Sequence, residues 1–228
     1  MTLSPTPPDR LFWSRVLAVA LGDMASLVAP DRVVLCEGRP AGAGNVAKAE
    51  FDARCYRKIF AAEFPRTDFL SVGNATDVST DRVEIGRAIQ TLVTGTSVVR
   101  VVDRDLRSPQ EIQDLEAAGI RVLSRRHLEA FLLDDEVLNA LCESVGHHDR
   151  FPEVFAARQD ALQASVARGN DADDAKSAAG EFYVAVRQLL QLTQGGSTTE
   201  SFLADTLAPL LKPGMAAYES LRWDVVGE

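Results

Sequence analysis

The chain has 228 residues, 46% hydrophobic and 25% charged, with 24 Lys and Arg against 33 Asp and Glu for a formal net charge of −9. That length holds one domain with an appendage, or two small domains, and it buries a core without disulfides or a structural metal. Its apolar content, 15 Gly and 10 Pro exclude a chain that is disordered throughout, and the acidic balance excludes one that coats nucleic acid by charge alone.

Cys36, Cys55 and Cys142 make no C-x-x-C pair and are expected as reduced, buried thiols of a cytoplasmic protein rather than as a zinc site. Residues 1–10 are rich in Pro and Thr, and the apolar stretch 16–21 is short, so no signal peptide is expected. No run approaches the roughly 20 apolar residues of a spanning helix, so no membrane association is expected.

In chain order, 10–27 reads as an amphipathic helix with Leu11, Phe12, Val16, Leu17 and Leu21 to one side. Val33-Val34-Leu35-Cys36 is a β-branched run suited to a strand buried on both faces, and it stops at Glu37-Gly38. Residues 39–48, with Pro40, Gly42 and Gly44, predict a loop, and 49–64 a helix with Phe51, Cys55, Ile59 and Phe60 on one stripe. A second strand over 68–72 ends at Gly73-Asn74. Asp77 or Ser79 can cap the next helix, which runs to about residue 92.

The strongest strand signal is 97–102, followed by Asp103-Arg104-Asp105. Ser108-Pro109 with Glu111 is a capping box with Pro at the first helical position. That helix closes at Gly119, and 120–123 is a fourth strand. Strands alternating with helices imply a parallel sheet covered on both faces. Beyond about Gly146 only helical patterns remain, over 151–167, 172–192 and 199–211. The expected organisation is a leader and helix over 1–29, an α/β domain over 30–145, and an α-helical C-terminal extension over 146–228.

In an open parallel sheet, chemistry collects at the carboxyl ends of the strands. Glu37 closes the first strand and Asp103 and Asp105 the third. If strand geometry continues, Asp103 and Asp105 face one side and Arg104 the other. A charge at the mouth of a buried strand is costly unless it stays wet or binds something, and a hard cation relieves the repulsion among three carboxylates. The pattern points to Mg²⁺ or Mn²⁺ acting on phosphodiesters or nucleotides, although D-x-D after a strand also occurs in α/β proteins without metal chemistry.

The order Glu37-Gly38 then Asp103-Arg104-Asp105 resembles the TOPRIM domain of topoisomerases, primases and OLD-type nucleases, in which one strand ends in Glu-Gly and a later one in D-x-D. Arg126-His127-Leu128-Glu129-Ala130-Phe131-Leu132-Leu133-Asp134 is similar to a motif, approximately R-x-I-E-N-Y-L-L-D, of TOPRIM-like domains fused to ABC-type ATPases in bacterial OLD-like defence and repair proteins. The stretch from Phe51-Asp52-Ala53-Arg54-Cys55-Tyr56 through Ser71-Val72-Gly73 also looks like that subgroup, and the resemblance covers about residues 30–145.

The resemblance implies a TOPRIM-like, Rossmann-like, mainly parallel four-stranded sheet. It implies Glu37 as metal ligand or general base, Asp103 and Asp105 as metal ligands, and Glu129 as a contributor to a second ion. Two Mg²⁺ or Mn²⁺ ions would then serve phosphodiester cleavage. Asp52 is an additional acid; related domains often carry one soon after the Glu-Gly, whereas here residues 39–48 intervene. Ala130 stands where the motif has Asn.

Arg104, Arg107, Arg125 and Arg126 either contact phosphates or pair with Glu111, Asp114 and Glu116 as solvated side chains. Arg39 and Lys48 can approach a substrate backbone, but Gly42-Ala43-Gly44 lacks the Lys-Ser/Thr ending of a P-loop, and no Walker motif exists. His147-His148 reads as a polar turn, Trp13 and Trp223 as packing residues, and Asp171, Asp173 and Asp174 as helix capping.

The expected function is a divalent-metal-dependent nuclease, or the nuclease module of an OLD-like system with an ABC-type ATPase partner. The alternative is a non-catalytic interaction module docking onto such an ATPase, and a third is a phosphohydrolase or nucleotide-binding protein of another doubly wound fold. Oligomerisation is left open. The excess acid lies chiefly in 134–181, with eleven acids against four Lys and Arg, whereas 100–126 holds six Arg against five acids.

Overall fold

The computed structural model describes residues 29–40, 50–81, 85–92, 95–193 and 196–227. The helix expected over 10–27, Trp13, Lys48 and the glycines of the 41–49 loop lie outside the described residues. Four strands, β1 (Arg32–Cys36), β2 (Thr67–Ser71), β3 (Ser97–Val102) and β4 (Ile120–Val122), form one sheet in the order β2-β1-β3-β4, with every neighbouring pair parallel. The α/β class with a four-stranded parallel sheet is therefore as the sequence implies.

Alternation along β1 divides the core in two. Val34 and Cys36 face one side with Phe69 and Val101, while Val33 and Leu35 face the other with Val102 and Val122. The second face is covered by α2 (Ala75–Thr80), α3 (Ile85–Leu92) and α4 (Pro109–Ala117), through Ala75, Ile85, Ile112 and Leu115. On the first face lie α1 (Phe51–Phe60), α5 (Glu129–Leu132), α6 (Asp135–Ser144), α7 (Phe151–Ala167), α8 (Ala175–Leu189), α9 (Thr199–Phe202) and α10 (Ala216–Val225). The C-terminal helices share one continuous buried cluster with this face, and the Phe60 ring lies 5.9 Å from Phe69 and 5.6 Å from Tyr218.

Local chemistry sets the element ends. Ser108 accepts from the Glu111 amide, Glu111 accepts from the Ser108 amide, and Pro109 opens α4. The single helix expected to reach residue 92 is instead two. Asn74 caps α2 with Asp77 completing the box, Asp81 ends it in a left-handed conformation (φ 47°), and the Asp81 carboxylate accepts from the Gly86 and Arg87 amides at 2.9 Å each. The helix expected from residue 172 starts at Ala175, because Asp174 accepts from the Ser177 amide at 2.9 Å. After α9 the chain makes a π-helical turn (Leu203–Leu207) and a 3₁₀ turn (Ala208–Leu210) before α10. Trp223 is 65% exposed on α10, contrary to its expected packing role.

Candidate metal centre

Because all strands are parallel, their carboxyl ends share one edge. The strand order reverses between β1 and β3, the position at which doubly wound sheets open a crevice. Glu37 and Asp103 follow those two central strands. Gly38 (φ 120°) and Gly73 (φ 129°) exchange main-chain hydrogen bonds of 2.8 and 2.9 Å. A Cβ on Gly38 would stand 2.8 Å from Ser71 Oγ, so the glycine after Glu37 is required both by its backbone angle and by the approach of β2.

The Asp103 amide donates to Glu37 Oε1 at 2.9 Å. Asp103 is 5% exposed and Glu129, at the start of α5, is 6% exposed. Asp52, in the first turn of α1, joins them through charge. Burial, reinforced by Glu129 and Glu37 and opposed by Lys176, pushes the Asp52 carboxyl up to about 8. Asp103 is held well above the carboxylate range by burial and by Asp52, Glu129 and Glu37. Glu37 is raised by burial and Asp105, against the lowering bond from the Asp103 amide. Glu37, Asp52, Asp103 and Glu129 thus form one electrostatic unit. Glu37, Asp52 and Glu129 line a cleft of about 650 Å³.

Asp105 departs from the expected alternation. The strand ends at Val102, Asp105 turns left-handed (φ 48°), and its amide donates to the Arg126 carbonyl at 3.0 Å. Its exposed carboxylate reaches His127 Nε2 at 3.2 Å and Arg107 Nη1 at 3.0 Å. Asp103, Asp105 and His127 nevertheless each offer a ligand atom, all within 4.8 Å of one another. A metal ion fits this donor set. Carboxylate oxygens and one imidazole suit a hard or borderline cation. Cys36 and Cys55 are buried, which raises both thiols, and neither belongs to this donor set.

Two participants carried no sequence signal of their own. His127 sits in the β4–α5 connection, and among the described residues its buried Nδ1 has no hydrogen-bond partner, with Asp174 Oδ1 3.8 Å away. Lys176, in the first turn of α8, brings its ammonium 3.7 Å from Asp103 Oδ2 and lines the cleft. Burial lowers the Lys176 ammonium, but Glu129, Asp103, Asp52 and Glu37 outweigh it and hold the group above its ordinary value. The helical extension therefore contributes the internal counter-charge of the acids.

The arginines find acceptors other than Glu111, Asp114 and Glu116. Arg107 also donates to the Asp103 carbonyl, Arg104 to the Ser124 carbonyl at 3.0 Å, and Arg125 meets Asp134 at 2.7 Å. Arg126 binds Asp171 at 2.8 Å and Asp173 at 2.7 Å, so these two acids hold the extension to the β4 loop while Asp174 caps α8. Glu111 and Asp114 instead bond to Ser108 and Gln110. Among the described residues no helix is long and apolar enough to cross a membrane. Comparison with known proteins finds no matching family model, no matching curated protein and no matching solved structure.

Proposed function

We propose that this chain is a divalent-metal-dependent nuclease of TOPRIM-like character, working in the cytoplasm beside an ABC-type ATPase partner. The observation that carries the reading is the convergence of Glu37, Asp52, Asp103 and Glu129 at the switch point of the sheet, with the carboxyls of Glu37, Asp52 and Asp103 raised by burial and by neighbouring acids. Such a cluster has more affinity for a cation than for its own unscreened charge. Two donor groups meet at Asp103: one with Asp105 and His127, the other with Glu37, Asp52 and Glu129. Together they would hold one or two Mg²⁺ or Mn²⁺ ions, which supply Lewis acidity toward a phosphoryl oxygen.

The chain's own groups account for the remaining steps. Glu37, with its raised carboxyl, would take the proton of the attacking water. Lys176 would neutralise charge growing on the phosphoryl oxygens. His127 would orient Asp105. The buried free thiols Cys36, Cys55 and Cys142 accord with a reducing compartment.

The test is nicking of supercoiled DNA and cleavage of single-stranded RNA by the full chain with Mn²⁺, with and without its ATPase partner, against EDTA and the Asp103→Asn variant. The expected result is Mn²⁺-dependent cleavage lost at least 100-fold in Asp103→Asn, which still folds. Equal cleavage by the variant would overturn the reading. Absence of cleavage in every condition, with ATPase binding retained, would favour the non-catalytic docking module instead.

A further inference from the structure

A second cavity, of about 340 Å³, lies between the β4–α5 connection and the α7–α8 turn. Arg104, Ala130 and Ala175 line it, while their chain neighbours Asp103, Glu129 and Lys176 belong to the acidic cluster. Its wall carries four arginines, Arg104, Arg125, Arg126 and Arg158, against a single acid, Asp173.

These arginines are anchored. Through Nη1, Arg125 meets Asp134, Arg126 meets Asp171 and Asp173, and Arg158 meets Asp135 at 2.6 Å and the Leu133 carbonyl at 2.7 Å. Their guanidinium planes are therefore held in place before any ligand arrives. Each guanidinium has five N–H donors, so one anchored edge leaves others to serve a ligand. Three buried side-chain polar atoms lack a hydrogen-bond partner among the described residues, and two are Arg126 Nε and Arg158 Nε in this wall. Both atoms are closed to solvent, so each guanidinium is packed into the wall rather than lying loosely over it. The Arg126 and Arg158 side chains are only 9% and 14% exposed, which makes this a built site rather than a fringe of surface arginines.

Apart from Ser124, the rest of the lining is apolar, with Ala130, Leu133, Leu162, Ala172 and Ala175. The volume falls in the range of small-molecule sites, about 300–1,000 Å³, and a bare inorganic anion would leave most of it empty. Planar guanidinium forks match phosphate oxygens and stack on flat rings. We propose that this cavity binds a nucleotide through its terminal phosphate monoester, with the nucleoside against the apolar wall. The nucleotide is either free or the 5′-phosphorylated end of a strand. This site stands independently of the nuclease reading.

The test is calorimetric titration of the full chain with AMP in EDTA, so that no metal loads the acidic cleft. The expected result is one site with Kd below about 1 mM, and adenosine at least tenfold weaker. Arg104→Ala removes an exposed member of the wall, and Ala172→Trp fills the mouth from an exposed turn without touching a charge. Each should weaken AMP at least tenfold. Arg158→Lys keeps a charge opposite Asp135 but deletes the planar guanidinium fork, and should also weaken AMP. Val184→Ser, at an exposed position of α8 outside this wall, should bind AMP as the wild type does. A 5′-phosphorylated dinucleotide that displaces AMP identifies a strand terminus as the ligand, and one that does not identifies the free nucleotide. No heat with AMP to about 10 mM, adenosine binding as tightly as AMP, or AMP binding unchanged in Arg104→Ala and Ala172→Trp would each overturn the proposal. Thermal unfolding of every variant separates a lost site from a lost fold.

Discussion

The Asp103 main-chain amide donates to Glu37 Oε1 at 2.9 Å, so the acid that ends β1 also fixes the chain as it leaves β3. This bond couples the two central strands exactly where a substrate crevice opens, and it gives Glu37 a structural duty besides its charge. Glu37→Gln keeps an oxygen acceptor and sheds a carboxylate from a repelling group. In EDTA it should unfold in urea at the wild-type concentration or above. Glu37→Ala orphans the Asp103 amide and should lose about 1–2 kcal/mol. Both variants should bind Mn²⁺ at least tenfold more weakly.

The acid cluster should make the metal-free protein less stable as pH rises. Asp52 has an ordinary value of 3.8 and a folded value of about 8, so between these limits the folded chain holds a proton that the unfolded chain has released. Unfolding then releases protons, and stability falls with rising pH through that window. The raised carboxyls of Asp103 and Glu37 act in the same sense. Thermal unfolding in EDTA from pH 5 to pH 8.5 should show a declining Tm, with a shallower decline in Asp52→Asn and in saturating Mn²⁺. A Tm that rises across this range would contradict the electrostatic description of the site.

Lys176 is the cation already present. Its side chain is 57% exposed, so water screens it and its contribution is modest, about 1 kcal/mol or less. Lys176→Met should lower Tm slightly in EDTA at pH 8 and much less in Mn²⁺, where the metal takes over the neutralisation. An equal loss in both conditions would show that Lys176 acts through packing rather than charge.

Gly38 turns the chain beside Ser71 with φ 120°, a backbone angle that side chains rarely adopt. Gly38→Ala should cost about 1–3 kcal/mol in urea unfolding and weaken Mn²⁺ binding by displacing Glu37. Gly95→Ala, also at positive φ (96°) but with open space around the added Cβ, should cost less and leave Mn²⁺ binding unchanged.

The sheet and half of the site were legible because their signals are local. The valine-rich run of β3 matches residues 97–102, and the Ser108–Glu111 capping box marks α4, since both depend on neighbours within a few residues. Glu37 and Asp103 could be placed because a parallel sheet sends every strand's carboxyl end to one edge. Lys176 could not. It meets Asp103 across 72 intervening positions, in a helix whose own pattern says only that one face is apolar. Asp105 does meet Asp103 on one side, but through a left-handed residue rather than through continued strand alternation. The break between α2 and α3 escaped notice because Asp81 serves both as the end of one helix and as the cap of the next. Trp223 shows the limit of composition: an aromatic residue reads as core until its helix is seen to turn it outward.

The most direct measurement is the anomalous scattering of Mn²⁺ in crystals of the full chain soaked with MnCl₂. The account expects at least one peak about 2.0–2.3 Å from an Asp103 carboxylate oxygen, with a further ligand from Glu37, Asp105, Glu129 or His127, and the Lys176 ammonium moved beyond its present 3.7 Å from Asp103. A fully occupied soak with no peak at Asp103, and with Lys176 still against its carboxylate, would contradict it.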